Sequence, residues 1–168
     1  MTTNRGPEST VLDGSATMFA EAVELRLAYT RVDDRLGELD ATACSREFSG
    51  HGVAYVDLQA MKNFTRALRV FPISAATSPS IEGSCLAPGP AMDGTNVRIT
   101  ITPYNSRGTL LVRVDLATQS RESHDRDQQH SVTIRFPSDY GAMTQFAADI
   151  EALLSGTLDE VILKATTT

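Results

Sequence analysis

A chain of 168 residues, of which 41% are hydrophobic and 21% charged, has the size and composition of one globular domain that buries its own core. Its formal charge of −6 argues against nucleic acid as a partner, because nucleic-acid binding requires clustered Lys and Arg that neutralise phosphates. No apolar run approaches the roughly 20 residues of a membrane-spanning helix and no secretory signal is visible. We therefore expect a cytoplasmic protein without membrane contact.

The N-terminal part predicts a leader and a β-hairpin. Residues 1–16 lack apolar periodicity, which is typical of a disordered leader. Apolar and polar residues alternate over 21–32 and, less cleanly, over 36–48, which indicates two half-buried strands. Asp33 and Asp34 lie between them, and Asp favours a turn.

The middle part predicts a short strand, a helix and a long loop. The Ser-Gly-His-Gly sequence at 49–52 predicts a break, and 53–56 a short strand. Apolar residues recur every three or four positions over 58–71, which predicts an amphipathic helix. Ser, Pro and Gly throughout 74–96 indicate a loop, with a brief strand near 81–86.

The second half begins with the clearest hairpin in the chain. Alternating segments at 96–104 and 108–118 predict two strands joined by a turn that Gly108 can make with positive φ. A polar, charged connection follows at 119–129. Residues 130–136 alternate again and predict a third strand, which Pro137 ends because proline cannot donate to a sheet.

A second amphipathic helix is predicted over 140–154. Ser138 is expected to cap its N-terminus, and Asp139 to interact favourably with the positive end of the helix dipole. Gly156 is a natural terminator. Residues 160–165 read either as a weak strand or as a helical tail.

The order of these elements predicts an α+β fold. We expect a single domain over 17–168, in which one antiparallel β-sheet carries both amphipathic helices on one face. A strand followed by a helix occurs twice, at 53–71 and 132–154, but the sequence shows no convincing internal repeat. A distant duplication stays open.

Hydrophobic spacing and a few turn residues form a pattern that is carried by Phe48, Ser49, Gly50, Ala54, Tyr55, Val56, Asp57, Leu58, Phe64, Leu68, Ile99, Ile101, Gly108, Leu110, Val112, Val114, Val132, Ile134, Phe136, Asp139, Met143, Phe146 and Leu153. This pattern resembles the WapI-like family, small bacterial proteins grouped with the immunity protein of a wall-associated toxin. The similarity spans about 21–155. The resemblance implies a non-enzymatic inhibitor that binds and neutralises a cognate toxin domain.

Four carboxylates crowd one turn region and form the candidate partner-binding site. Asp33, Asp34, Glu38 and Asp40 have only Arg35 among them, so they suit a cationic surface such as that of a basic toxin domain. A solvated hairpin turn is the simpler interpretation. Their spacing does not match a calcium-binding loop.

A second candidate surface is the face of the sheet opposite the helices. Arg98, Arg113, Asp115 and Arg135 fall on the polar side of alternating strands. Such a face suits a small ligand or a second copy of the chain. The sequence therefore leaves protein binding, small-ligand binding and homo-oligomerisation open.

No catalytic or metal motif rises above background. Cys44 and His51 could form a thiol–imidazole couple, but nothing in the sequence brings them together. His124 and His130 flank a charged connection that contains Asp125 and Asp127, where hydration is a simpler interpretation than metal binding. We therefore predict no catalytic residues, no metal and no cofactor.

Overall fold

The computed structural model describes residues 22–85, 94–119 and 129–166. Within these ranges the chain forms eight strands, two α-helices and a 3-10 turn at Ala75–Thr77. The strands and helices, in chain order, are β1 Glu24–Arg31, β2 Leu36–Ser45, β3 Phe48–Asp57, α1 Leu58–Ala67, β4 Ser80–Gly83, β5 Val97–Pro103, β6 Leu110–Ala117, β7 Ser131–Ser138, α2 Tyr140–Leu154 and β8 Val161–Lys164. The tail at 160–165 is therefore a strand.

The α+β class is confirmed, but the strands form two sheets rather than the predicted one. The first sheet has the order β3-β2-β1-β8 and the second β4-β5-β6-β7, with all pairs antiparallel. Alternation in a sequence shows which side of a strand is buried. It does not show whether two groups of strands join edge to edge into one sheet. For this reason the prediction of a single sheet was wrong.

The two halves of the chain share one topology. Each half is a meander of three strands, then a helix, then a short strand. The short strands are exchanged: β4 pairs with β5 of the second half, and β8 pairs with β1 of the first. A structural repeat is thus present where the sequence shows none, and each sheet is completed by the other half.

The two sheets meet at two seams, and among the described residues one backbone hydrogen bond crosses each of them. At one seam Tyr55 N donates to Ser84 O at 2.8 Å, and at the other Thr166 N donates to Pro137 O at 3.0 Å. Tyr55 and Pro137 each stand two residues before the Asp that caps the following helix. Because proline has no N–H, the second seam can use only its carbonyl.

The predicted break at 49–52 lies inside β3. Gly50 and Gly52 sit in regular register opposite Ala43 and Ala41. A Cβ on Gly50 would lie 2.1 Å from Val132 Cγ1, and one on Gly52 would lie 3.0 Å from Asn96 O. These glycines therefore do not end the strand; they let the second sheet approach it closely.

Both helices contribute to a single core that also contains residues of both sheets. The helices contact one another; α1 packs on β3 and β4, and α2 packs on β8 and β1. Met61 and Met143 are fully buried, as expected of helix-face core residues. The buried helix residues are Met61, Phe64, Thr65, Met143, Phe146, Ala147, Ile150 and Leu153.

The helix ends differ from the predictions. Asp139 rather than Ser138 caps α2, because its side chain accepts the Ala142 N–H at 2.9 Å. Helix α1 ends at Ala67, whereas the prediction continued to residue 71. Phe71 consequently lies outside the core with 76% exposure, and its ring meets Tyr140 edge-on at a centroid distance of 4.8 Å.

Candidate functional site

The four predicted partner-binding carboxylates have different roles. Asp33 Oδ1 accepts hydrogen bonds from Arg35 N at 2.7 Å and Leu36 N at 2.8 Å. These bonds hold the pKa of Asp33 below its usual value. Asp33 therefore builds the β1–β2 turn, and its carboxylate is already engaged.

Asp34, Glu38 and Asp40 reach solvent, and Glu38 has an exposed aromatic residue as its cross-strand neighbour. Leu39 is fully buried, so the neighbouring residues of β2 point to the outer side of the first sheet. Glu38 lies opposite Tyr55 of β3, whose side chain is 38% exposed. The side chain of Asp34 is fully exposed at the turn, 3.4 Å from Arg31. We call Asp34, Glu38, Asp40 and Tyr55 the acidic face.

His51 contacts the acidic face rather than Cys44. Its Nε2 lies 3.0 Å from both carboxylate oxygens of Asp40. Cys44 Sγ instead donates to Ala22 O at 3.3 Å. The two side chains considered for a thiol–imidazole couple thus have separate partners.

The four residues of the second candidate surface lie on the outer side of the second sheet. Arg98, Arg113 and Asp115 are already engaged there. Arg98 pairs with Glu82 at 2.8 Å, and Arg113 Nε donates to Asp115 at 2.9 Å. Arg135 stands directly opposite Arg113 and is exposed. Among the described residues it has no carboxylate partner.

Asp115 has a stabilised negative charge. Partial burial by itself would raise its pKa, but hydrogen bonds from Thr133 Oγ1 at 2.6 Å and from Arg113, with the charges of Arg113 and Arg98, outweigh it. The pKa is therefore lower than the usual 3.8. A carboxyl group whose pKa is lower in the folded than in the unfolded state stabilises the fold at pH values above its unfolded pKa. That stabilisation is lost as the pH falls through its folded-state pKa.

We expect Asp115→Asn to lower the free energy of unfolding at pH 7 by about 1–2 kcal/mol, the usual cost of losing charge-assisted hydrogen bonds. The difference from the wild type should shrink as pH falls below 3.8. Urea denaturation at pH 7 and pH 3 measures both values. Asp34→Asn is the control and should change stability by less than about 0.5 kcal/mol at either pH. An Asp115→Asn effect that grows in acid would contradict the argument.

A small cavity of about 160 Å³ lies at the N-terminus of α2. Arg107, Thr109, Asp139 and Thr166 line it, together with Ser138, which is 1% exposed. Within the described part of the chain the Ser138 hydroxyl has no hydrogen-bond partner. The equivalent residue before the cap of α1 is Val56, so Ser138 places a polar group where the first half has an apolar one.

We expect Ser138→Ala to raise the free energy of unfolding by about 1 kcal/mol, because a buried hydroxyl without a partner loses its hydration and gains nothing in return. Urea denaturation measures the change. Ser74→Ala is the matched control and should lower stability, since Ser74 Oγ accepts the Thr77 N–H at 3.2 Å. A less stable Ser138→Ala variant would contradict the assignment.

A larger groove of about 500 Å³ lies between the two helices, and the sequence reasoning did not identify it. Lys62, Arg66 and Arg69 of the α1 side face Glu151 and Ser155 of the α2 side. Lys62 and Arg66 stand four residues apart and share one side of α1, and Arg69 follows just beyond the end of the helix. This spacing is visible in the sequence, but the groove depends on how α2 packs against α1.

Over residues 22–85, 94–119 and 129–166, no three His, Cys, Asp or Glu side chains lie close enough together to hold a metal ion. His130 is exposed, and its backbone N–H bonds to Thr118 Oγ1 at 3.0 Å. His124, Asp125 and Asp127 lie outside the described residues. No helix in the described part of the chain is long and apolar enough to cross a membrane.

Comparison of the chain with protein-family models, curated proteins and solved structures gives no match.

Proposed function

We propose that this chain is a non-catalytic, cytoplasmic protein-binding domain that inhibits a toxin domain with a basic surface. The observation that carries the proposal is the acidic face, where the exposed Tyr55 of β3 lies directly opposite Glu38, and Asp40 follows two residues further along β2. Exposed tyrosine is typical of the residues that dominate protein–protein binding energy. The choice of a toxin as the partner follows from the resemblance of the sequence to the WapI-like immunity proteins.

The acidic face sits on rigid backbone, which favours binding without rearrangement. Glu38 and Asp40 lie in the middle of β2, which pairs with β1 on one side and β3 on the other. The backbone N–H of Tyr55 is held by the seam bond to Ser84 O. A preorganised surface loses little conformational entropy on association.

The charge of the face suits fast association with a cationic site. Complementary charge raises association rates, and the gain falls as salt screens the field over about 10 Å at 0.1 M. Asp34 at the turn and Glu38 and Asp40 on β2 place three carboxylates in this region; Asp34 also pairs with Arg31, and Asp40 with His51. A basic nuclease-type active site is the kind of surface they complement.

A growth assay tests the proposal. If the gene next to the one for this chain encodes a toxin domain, bacteria that express that domain should survive when the wild-type chain is co-expressed. Glu38→Lys, combined with Tyr55→Ala, should abolish protection because it reverses one charge and removes the aromatic anchor. Glu47→Lys makes the same charge change at the exposed far end of the same hairpin and should keep protection.

Direct binding separates the interface from folding. The double variant should bind the purified toxin domain at least tenfold more weakly than the wild type, with an unchanged melting temperature. Wild-type association should slow as salt rises. A wild-type chain that neither binds the toxin domain nor protects the cells would overturn the proposal.

The alternative is a self-associating or small-ligand module that uses the outer face of the second sheet. Arg135 favours it, since it is exposed and faces the like charge of Arg113. The other charged residues of that face already satisfy one another, which leaves less for a partner. A dimer by light scattering that Arg135→Glu dissolves would support this alternative.

A further inference from the structure

The groove between α1 and α2 concentrates positive charge in a chain whose net charge is −6. Helix α1 carries Lys62 and Arg66, and Arg69 follows one turn later, while Leu58–Ala67 contains no Asp or Glu. Like charges four residues apart on a helix destabilise it by roughly 0.2–0.5 kcal/mol. The arrangement therefore costs stability unless an anion compensates it.

One of the three cations shows how an anion is held in this groove. The guanidinium of Arg69 donates to both carboxylate oxygens of Glu151, at 2.5 and 2.9 Å. This side-by-side geometry is also the one by which arginine binds phosphate. The hydrogen bond from Arg69 keeps the pKa of Glu151 below its usual value, so the carboxylate is ionised at neutral pH.

The other two cations have no carboxylate partner among the described residues. Arg66 Nη1 donates only to the amide oxygen of Asn63, at 3.2 Å, and Lys62 is exposed. The hydroxyls of the groove are already used: Thr65 donates to Met61 O at 2.7 Å, and Ser155 to Ala152 O at 2.9 Å. Lys62 and Arg66 are thus the groups left to bind a ligand.

We propose that this groove binds the phosphate group of a ligand between Lys62, Arg66 and Arg69. A phosphate carries up to two negative charges and several acceptor oxygens, so it can contact three cations at once, whereas a single carboxylate such as Glu151 satisfies one. A volume of about 500 Å³ is within the range of small-molecule sites and exceeds what one phosphate fills. The ligand is therefore an organic phosphate whose remainder lies along Leu154.

The site shares no residue with the acidic face, so it stands or falls independently of the proposed inhibitory function. Glu151 is its internal competitor, because its carboxylate occupies the guanidinium of Arg69. Neutralising Glu151 frees that guanidinium and removes a negative charge from the groove. Neutralising a cation of the groove should therefore weaken ligand binding, whereas neutralising Glu151 should strengthen it.

Calorimetric titration of the full chain with pyrophosphate at low salt tests the site. Arg66→Gln and Lys62→Gln should each weaken binding by about tenfold, the effect of losing one charge-assisted hydrogen bond. Glu151→Gln should strengthen binding by several-fold. Arg46→Gln removes the same charge from the exposed turn between β2 and β3, outside every proposed site, and should leave the affinity unchanged.

Vesicles distinguish a free phosphate ligand from a lipid headgroup. Phosphatidylcholine vesicles doped with a phosphatidylinositol phosphate should sediment the chain if the headgroup is the ligand, and Arg66→Gln should abolish this. Binding of pyrophosphate without vesicle binding assigns the groove to a free phosphate compound. The proposal is overturned if neither probe binds, or if Arg66→Gln and Arg46→Gln weaken binding equally.

Discussion

Replacing Phe146 with alanine is expected to lower the free energy of unfolding by about 3–5 kcal/mol. Phe146 is 1% exposed and lies on the face of α2 that enters the shared core. Removing its ring loses apolar burial and leaves a cavity that close-packed neighbours fill only in part. For a domain of this size the melting temperature should fall by roughly 6–20 °C.

Phe71→Ala is the matched control, because it deletes the same ring from the surface. Phe71 is 76% exposed and contacts Tyr140 edge-on, so its loss should cost no more than about 1 kcal/mol. Urea denaturation of both variants measures the contrast. Equal losses of stability would show that α2 does not pack as described.

Replacing Gly83 with alanine is expected to lower the free energy of unfolding by about 1–3 kcal/mol through overpacking at the seam. A Cβ at this position would lie 2.7 Å from Tyr55 O and 2.9 Å from Ala54 Cβ. Tyr55 O is backbone in a paired strand, so the clash is relieved only if the seam opens. The Tyr55–Ser84 hydrogen bond should weaken with it.

Gly94→Ala provides the comparison, since a Cβ there comes within 4 Å of no atom of the described residues. Its stability should stay within about 0.5 kcal/mol of the wild type. Thermal unfolding compares the two variants, and hydrogen exchange reports on the Tyr55 amide. A neutral Gly83→Ala variant with an unchanged Tyr55 exchange rate would contradict the close approach of β3 and β4.

The individual strands and helices were largely predictable, because an element that is buried on one side has apolar residues at regular intervals in its sequence. Strand β6 alternates from Leu110 to Ala117, and its buried residues are those that the pattern indicates. The prediction failed where packing overrides a local preference. Gly50 and Gly52 are typical of residues that interrupt a strand. They nevertheless lie within a strand, because Val132, Val97 and Leu116 come close to them.

The candidate sites, too, could be predicted from the sequence only in part. The acidic turn was visible as a run of carboxylates, but its hydrogen bonds were not, so Asp33 could not be separated from Asp34 by sequence. The groove forms between two helices that lie far apart in the chain. Only the packing of these helices brings Glu151 to Arg69, so the sequence did not reveal the groove. Charge spacing along one helix signals a cationic side without showing what faces it.

The exchanged short strands make the halves of the chain mutually dependent. Neither half can complete a four-stranded sheet without an edge strand from the other. Separately expressed fragments that end after Cys85 and begin at Gly94 should therefore stay unstructured alone and recover the fold when mixed, in the manner of a split reporter. Ligands that bind either half should also protect the far half from proteolysis.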